Sequence, residues 1–420
     1  MTVLLLSLGL LAGAACAADL GTDNPAPPPT VTGDKVPGLA GFGDLLRSFM
    51  AEHQVPGAAL AVTKGGRLVY ASGLGFADSQ KKTPVLPASL FRIASLSKAI
   101  TAVAVLQLAE QGKLKLDEPM LAQLPPDTRP ARLGDPRLEK ITIRQLLQHT
   151  GGWDSQKTGY DPMFRSLEIA KAEKAEPPAK AEDIIRFMLR RKLDFEPGER
   201  YAYSNFGYCL LGRIIERAGQ HDYEEYAREH VLAPLGIHAM RAGRSLPEGR
   251  APGEVEYCDS KARQGAAVVG QPLGRSVPAP YGTFCLEAMD SHGGWLASAM
   301  DLARFVAAFD DPEHCLLLKP ETARAMWARP PGEAGAEKSG APKPAFYACG
   351  WMVRPVGQAG KVNAWHAGLL PGTSTLMVHR HDGLNWVVLF NTDADAKGRE
   401  LHGLIDPLLH KAADAVKNWP

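Results

Sequence analysis

Long hydrophobic runs, paired cysteines and net charge are all scarce in this sequence, and each scarcity removes a class of protein. No stretch reaches the ~20 apolar residues that a bilayer-spanning helix needs; the longest, Val3 to Leu11, falls well short. The 6 cysteines contain no CxxC pair, so zinc-ribbon and thioredoxin-type sites fail on spacing. There is no HExxH, and His379-Arg380-His381-Asp382 reads as a solvated hairpin turn, so no metal and no cofactor is expected. A Gly-x-Ser-x-Gly elbow is also missing, which disfavours a Ser-His-Asp hydrolase built on that turn. With 47 basic and 46 acidic residues the formal charge is +1; no global field draws nucleic acid or an acidic membrane. A small-molecule or peptide-like substrate fits better.

What is present is a chain of 420 residues, 45% hydrophobic, enough for a large core shared by two packed domains. Its start is laid out as a signal peptide over residues 1–17: an apolar run, then small residues through Ala15-Cys16-Ala17, with no Lys or Arg ahead of the run. The expectation is export to a bacterial periplasm or the extracellular space. Gly13 stands where a lipoprotein signal has leucine, so Cys16 is not read as lipidated. An oxidising compartment permits up to two disulfides among Cys209, Cys258, Cys285, Cys315 and Cys349, and Cys209, in an apolar helical stretch, is the expected free thiol. Residues 18–38, with Pro25, Pro27, Pro28 and Pro29, read as an extended linker.

From Leu39 the pattern alternates between helix and strand. A short amphipathic helix carries Leu45, Leu46 and Met50; two β-like runs, 58–63 and 67–72, flank Lys64-Gly65-Gly66 as a hairpin. Residues 95–111 are apolar nearly all round after Lys98 and stop at Gly112, the pattern of a buried helix. The middle of the chain reads as helices over 144–149, 183–190, 207–218 and 223–232. Residues 168–182, rich in Ala, Lys, Glu and Pro, read as an exposed insertion without core. Strands return at 350–354, 362–366, 373–380 and 385–391, and a helix closes the chain near 398–416. The expected fold class is α+β, an α/β sandwich: an antiparallel sheet from both termini, 39–90 and 286–420, flanked by helices, with a mostly helical domain, 91–285, inserted and the active site between them.

Serine is a poor nucleophile unless one group takes its proton and another stabilises the oxyanion. Ser95 opens the buried helix, beside backbone N–H groups at the positive end of its dipole. Lys98, three residues on, shares its face and is followed by apolar residues that depress an ammonium pKa. Ser-x-x-Lys also occurs at Ser79 to Lys82, but in a polar loop (ADSQKKTP) with no helix behind it. Tyr-x-Asn occurs once, at Tyr203-Ser204-Asn205, directly before an amphipathic helix, where Asn205 also qualifies as an N-cap and Tyr203 as a packing residue.

With these motifs the sequence resembles the serine β-lactamases and penicillin-binding proteins, especially the class C β-lactamase-like branch with its esterases and D-amino-acid peptidases. FRIASLSKAITA, ITIRQLLQHTGG, PGERYAYSNFGYCLLG and WHAGLLPG follow one another in the family's order, and the resemblance spans about residues 40 to 395. It implies a third element, Lys-x-Gly or His-x-Gly, on a strand at the site. Five triplets qualify, beginning at Lys64, His149, His292, Lys338 and His366. Only His366-Ala367-Gly368 follows Tyr203 and ends a β-like run; His149 lies in the family's structural loop.

The resemblance implies acyl transfer through an ester on Ser95, with Lys98 and Tyr203 sharing the proton and either one as principal base. Asn205 is expected to orient Lys98 and bind the substrate amide, and His366 with Gly368 to bind substrate. The oxyanion hole is expected at the backbone N–H groups of Ser95 and Leu369. Histidine at 366, in place of a permanent cation, shifts the expectation from β-lactams to an ester or peptide-like amide. The alternatives are a penicillin- or peptidoglycan-binding protein with negligible turnover and a true class C-type β-lactamase. Trp153, Trp295 and Trp365 are candidates for an apolar acyl pocket and equally for ordinary core.

Overall fold

A computed structural model describes residues 31–34, 36–357 and 360–420. The leader over 1–17 and most of the linker lie outside the described residues. The last part of the linker does not stay apart from the fold: Val31–Thr32 (β1) pairs with Leu74 and Gly73 and begins the sheet.

Among the described residues the central sheet has eight strands. Gly57–Lys64 (β2) and Arg67–Gly75 (β3) form the hairpin expected from Gly65-Gly66, both of which hold positive φ. The remaining strands come from the far end of the chain: Phe346–Tyr347 (β4), Met352–Pro355 (β5), Val362–Leu370 (β6), Thr373–His379 (β7) and Leu384–Phe390 (β8). The spatial order is β1-β3-β2-β8-β7-β6-β5-β4, and every pairing is antiparallel. The two ends of the chain meet where β2 pairs with β8, Ala58 opposite Phe390 through Lys64 opposite Leu384.

Period-two alternation sorts the strands onto two buried faces. Ala58, Leu60 and Val62 face one core with Trp386 and Val388, covered by Ala40–His53 (α1) through Leu46 and Phe49. The closing helix adds Ile405 and Leu409 to that core. Ala59, Ala61, Val387 and Leu389 face the other core, with Leu302 and Val306 of Ala299–Ala307. That second core continues into the inserted region, where Ser97–Glu110 (α2) packs beside Asn205–Gly219 (α3). The closing helix is Leu401–Ala415 (α4).

Three expectations change. The segment 168–182 is not free of core: Ser166–Glu173 is helical, and Ile169, Ala170 and Ala179 are fully buried against Ala181–Leu189. Alanine is small enough to pack there while Lys171 and Lys174 stay outside, and the nearly buried carboxylate of Glu173 pairs with Arg186 and Arg190. Cys209, Cys285, Cys315 and Cys349 are all free thiols, not the single one expected. His379 is buried, hydrogen-bonded to Asn385 and stacked on Trp327, so only the rest of its hairpin turn is solvated. Among the described residues no helix is long and apolar enough to cross a membrane.

Candidate active site

Ser95 does not open α2. It sits one step earlier, in a 3₁₀ turn over Ala94–Leu96 that runs into α2 at Ser97. Residues three apart share a face across this junction, and Lys98 Nζ donates to Ser95 Oγ at 3.1 Å. Ala94 holds φ of 49°, a left-handed conformation that costs an alanine of order 1 kcal/mol. The surroundings hold the turn in place. The hydroxyls of Thr373 and Thr375 on β7 donate to the carbonyls of Arg92 at 3.1 Å and Ile93 at 3.0 Å.

Lys98 is completely buried. Besides Ser95, Nζ donates to Asn205 Oδ1 at 2.8 Å and to the carbonyl of His292 at 2.7 Å, which satisfies all three ammonium donors. Burial nevertheless holds its pKa well below the usual lysine value, opposed only by the carboxylate of Asp161.

Tyr203 arrives on the extended run before α3 and donates its phenol to Ser95 Oγ at 2.7 Å. Burial raises its pKa well above that of free tyrosine, outweighing the hydrogen bond to Ser95; the phenol keeps its proton. The N-cap of α3 is Ser204, whose side chain accepts from Gly207 N–H. That frees Asn205, expected as a possible cap, to bridge Lys98 and Asp161: its Nδ2 donates to Asp161 Oδ2 at 2.7 Å. His149 braces this run from behind. Its carbonyl accepts from Ala202 N–H, its Nδ1 accepts from Ser204 N–H, and its ring packs 4.4 Å from that of Tyr203.

Gly368 makes the fit between β6 and the serine turn possible. A Cβ there would lie 2.5 Å from the carbonyl oxygen of Ile93 and 2.3 Å from Thr375 Oγ1. β5 pairs with β6 only as far as Trp365, so residues 366–370 present an edge beyond it. The two-residue turn Pro371-Gly372 closes on Leu370 and Thr373, and alternation along the ladder then turns the N–H of Leu369 away from β7, toward that edge.

His366 is placed differently from expectation. Its ring is buried and does not line the cleft at Ser95; Nε2 faces the hydroxyl of Tyr347 at 2.9 Å and Nδ1 faces the carbonyl of Ala367 at 2.7 Å. Burial, with the nearby Lys98, pushes its pKa down to about 3.

The cleft itself has a volume of about 550 Å³ and is walled by Ser95, Tyr203 and Asn205 together with Phe164, Tyr201 and Leu369. Trp153 and Trp295 are core residues, and neither they nor Trp365 line it. His292-Gly293, passed over in the sequence, does line it. Ser79, by contrast, is exposed, and the Lys82 ammonium donates to Gln80. Among the described residues one group could gather a metal ion, His221, Glu229 and His230, and none of the three lines this cleft.

A family model described as Beta-lactamase matches residues 42–408. Over 361 residues the chain is 28% identical to penicillin-binding protein 4* of Bacillus subtilis, covering 84% of this chain and 72% of that protein. It is 32% identical over 181 residues to protein flp of Staphylococcus aureus, 43% of this chain and 34% of flp, so the match spans about a third of that relative's length. Among solved structures, the D-amino acid amidase of Ochrobactrum anthropi superposes with a TM-score of 0.67 at 23% identity, covering 90% of this chain and 99% of the amidase.

Proposed function

The chain belongs to the Beta-lactamase family, and from that premise we propose that it is a serine hydrolase that cleaves an ester or a peptide-like amide through an acyl ester on Ser95. The observation that carries this reading is the convergence of two proton-handling groups, Lys98 Nζ and Tyr203 Oη, on one hydroxyl oxygen.

In this reading Lys98, as the free amine, takes the Ser95 proton as Oγ attacks the carbonyl carbon. The backbone N–H groups of Ser95 and Leu369 hold the resulting oxyanion. Collapse of the tetrahedral intermediate expels the alcohol or amine, which receives the proton from Lys98 through the Tyr203 hydroxyl. Water, deprotonated by the same amine, then releases the acid and restores Ser95. Tyr203 relays rather than initiates, because its phenol is held protonated. The amidase named above supports an ester or amide substrate. The signal-like layout of residues 1–17 supports export.

The test incubates the purified protein with a fluorophosphonate, a penicillin and a short-chain p-nitrophenyl ester, following intact mass and product. Labelling at Ser95 and ester turnover that vanish in Ser95→Ala are expected. Equal turnover by Ser95→Ala would sink the assignment, and a long-lived penicillin adduct without turnover of anything would make the chain a binding protein.

A further inference from the structure

Among the residues that wall the Ser95 cleft, Glu400 is the only Asp, Glu, Lys or Arg. It stands at the N-cap of α4, exposed, and also lines an adjoining hollow of about 310 Å³ that shares Phe164, Leu369 and Leu370 with the cleft. The wall between the nucleophile and that carboxylate mixes aromatic and apolar residues, Phe164, Leu369 and Leu370, with the uncharged polar Gln156 and Asn205.

Among the described residues no Lys or Arg forms an ion pair with that carboxylate. His402 Nε2 lies 3.3 Å from Glu400 Oε2. His402 is anchored on its other side by Ser374, whose Oγ lies 3.3 Å from Nδ1 and accepts the His402 backbone N–H. Burial lowers the His402 pKa, with Glu400 and Asp406 opposing, and the ring orients the carboxylate through this contact. Lys261 lines only the adjoining hollow and makes no ion pair among the described residues, and Arg263 there is held by Asp259 and Asp393. Arg399, next to Glu400 in sequence, is paired with Asp395, and Lys98 is buried beneath Ser95 with its Nζ held by Ser95, Asn205 and the His292 carbonyl.

The geometry points to Glu400 as a specificity residue that receives a substrate's ammonium group, so the preferred substrates are esters or amides of amino acids and short peptides with a free amine on the acyl portion. A carboxylate at that position would instead be repelled, and an acylated amine would lose a charge-assisted hydrogen bond. This inference rests on the Ser95 hydrolase reading and narrows its substrate class.

The experiment compares kcat/KM for phenylalanine p-nitroanilide and its N-acetyl derivative, each as D and L forms, with p-nitrophenyl butyrate as a charge-free control. Because Glu400 is partly exposed, the expected preference for the free amine is about fivefold in wild type, carried in KM. It should fall to about one in Glu400→Gln, reverse in Glu400→Lys, and shrink with added salt. Unfolding midpoints of the variants show whether the fold is kept. A wild-type protein that hydrolyses the butyrate through Ser95 yet treats both anilides alike, or a preference that survives in Glu400→Gln, overturns the inference and leaves the hydrolase standing. Absence of Ser95-dependent turnover of every substrate overturns both.

Discussion

Tyr347 donates its phenolic hydrogen to Nε2 of His366 across 2.9 Å. The direction follows from the other side of the ring, where Nδ1 faces a carbonyl, that of Ala367, which can only accept. His366 is therefore a neutral imidazole with both nitrogens used, and it stands behind the cleft as a spacer between β6 and the tyrosines around Tyr203.

A pH dependence of stability follows from that neutrality. A histidine with a folded pKa of about 3 and an unfolded one of about 6.5 favours the native state fully above pH ~6.5. The advantage shrinks as pH falls, because the unfolded chain takes up the proton first, and it is exhausted near the folded value. His149 and His292 are shifted in the same direction by burial. Replacing His366 with Gln should reduce the slope of unfolding free energy between pH 6 and 4 by roughly 1.4 kcal/mol per pH unit, one proton's worth. Urea titrations at several pH values measure it, and an unchanged slope would contradict the buried, neutral assignment.

In the proposed mechanism Lys98 sets the acid limb of activity. Burial lowers its pKa and Asp161 raises it, so kcat/KM for an ester should rise with pH through a midpoint well below the ~10.4 of free lysine. Removing the Asp161 charge removes the opposing influence. In Asp161→Asn, which keeps an oxygen to accept from Asn205 Nδ2, the limb should move to still lower pH. A shift upward, or none, would mean that Asp161 does not feel Lys98.

Gly368→Ala is expected to damage both fold and activity. The new methyl would lie 2.5 Å from the Ile93 carbonyl oxygen, a backbone atom that cannot rotate away. Forcing the strand and the serine turn apart costs about 1–3 kcal/mol and displaces the Leu369 N–H from Ser95. Loss of one oxyanion donor lowers kcat by about 10²–10³-fold. Denaturation and steady-state kinetics read the two effects separately; a variant with wild-type kcat would remove Leu369 from the mechanism.

Much of this arrangement can be read from the sequence, for reasons of local chemistry. Ser95 and Lys98 are spaced by one helical turn, Tyr203 and Asn205 precede an amphipathic helix, and the Gly65-Gly66 hairpin announces itself through residues that tolerate positive φ. Asp161 escapes detection because it lies 44 residues from its partner Asn205, beside a stretch whose composition reads as surface. Tyr347 escapes for a similar reason: nothing local distinguishes a tyrosine that will face a histidine on a strand two places along the sheet. The helix start near Ser95 is displaced by two residues, since a 3₁₀ turn and an α-turn have the same residue preferences. Periodicity reports which side chains are buried; it does not report that His366 is buried away from the cleft.

Tyr203→Phe isolates the proton relay. The ring would keep its packing against His149 at 4.4 Å, so stability should change little, while Ser95 Oγ loses the donor at 2.7 Å and the leaving group loses its path to the Lys98 proton. A positioned acid–base group contributes about 10²–10⁴-fold, and the loss should appear in kcat with KM nearly unchanged. It should also depend on the leaving group. A p-nitrophenolate departs without a proton, whereas an amine must be protonated to leave, so the ratio of amide to activated-ester turnover should fall in Tyr203→Phe by at least about tenfold. An equal loss on both substrates would place Tyr203 in the attack step, as a base alongside Lys98.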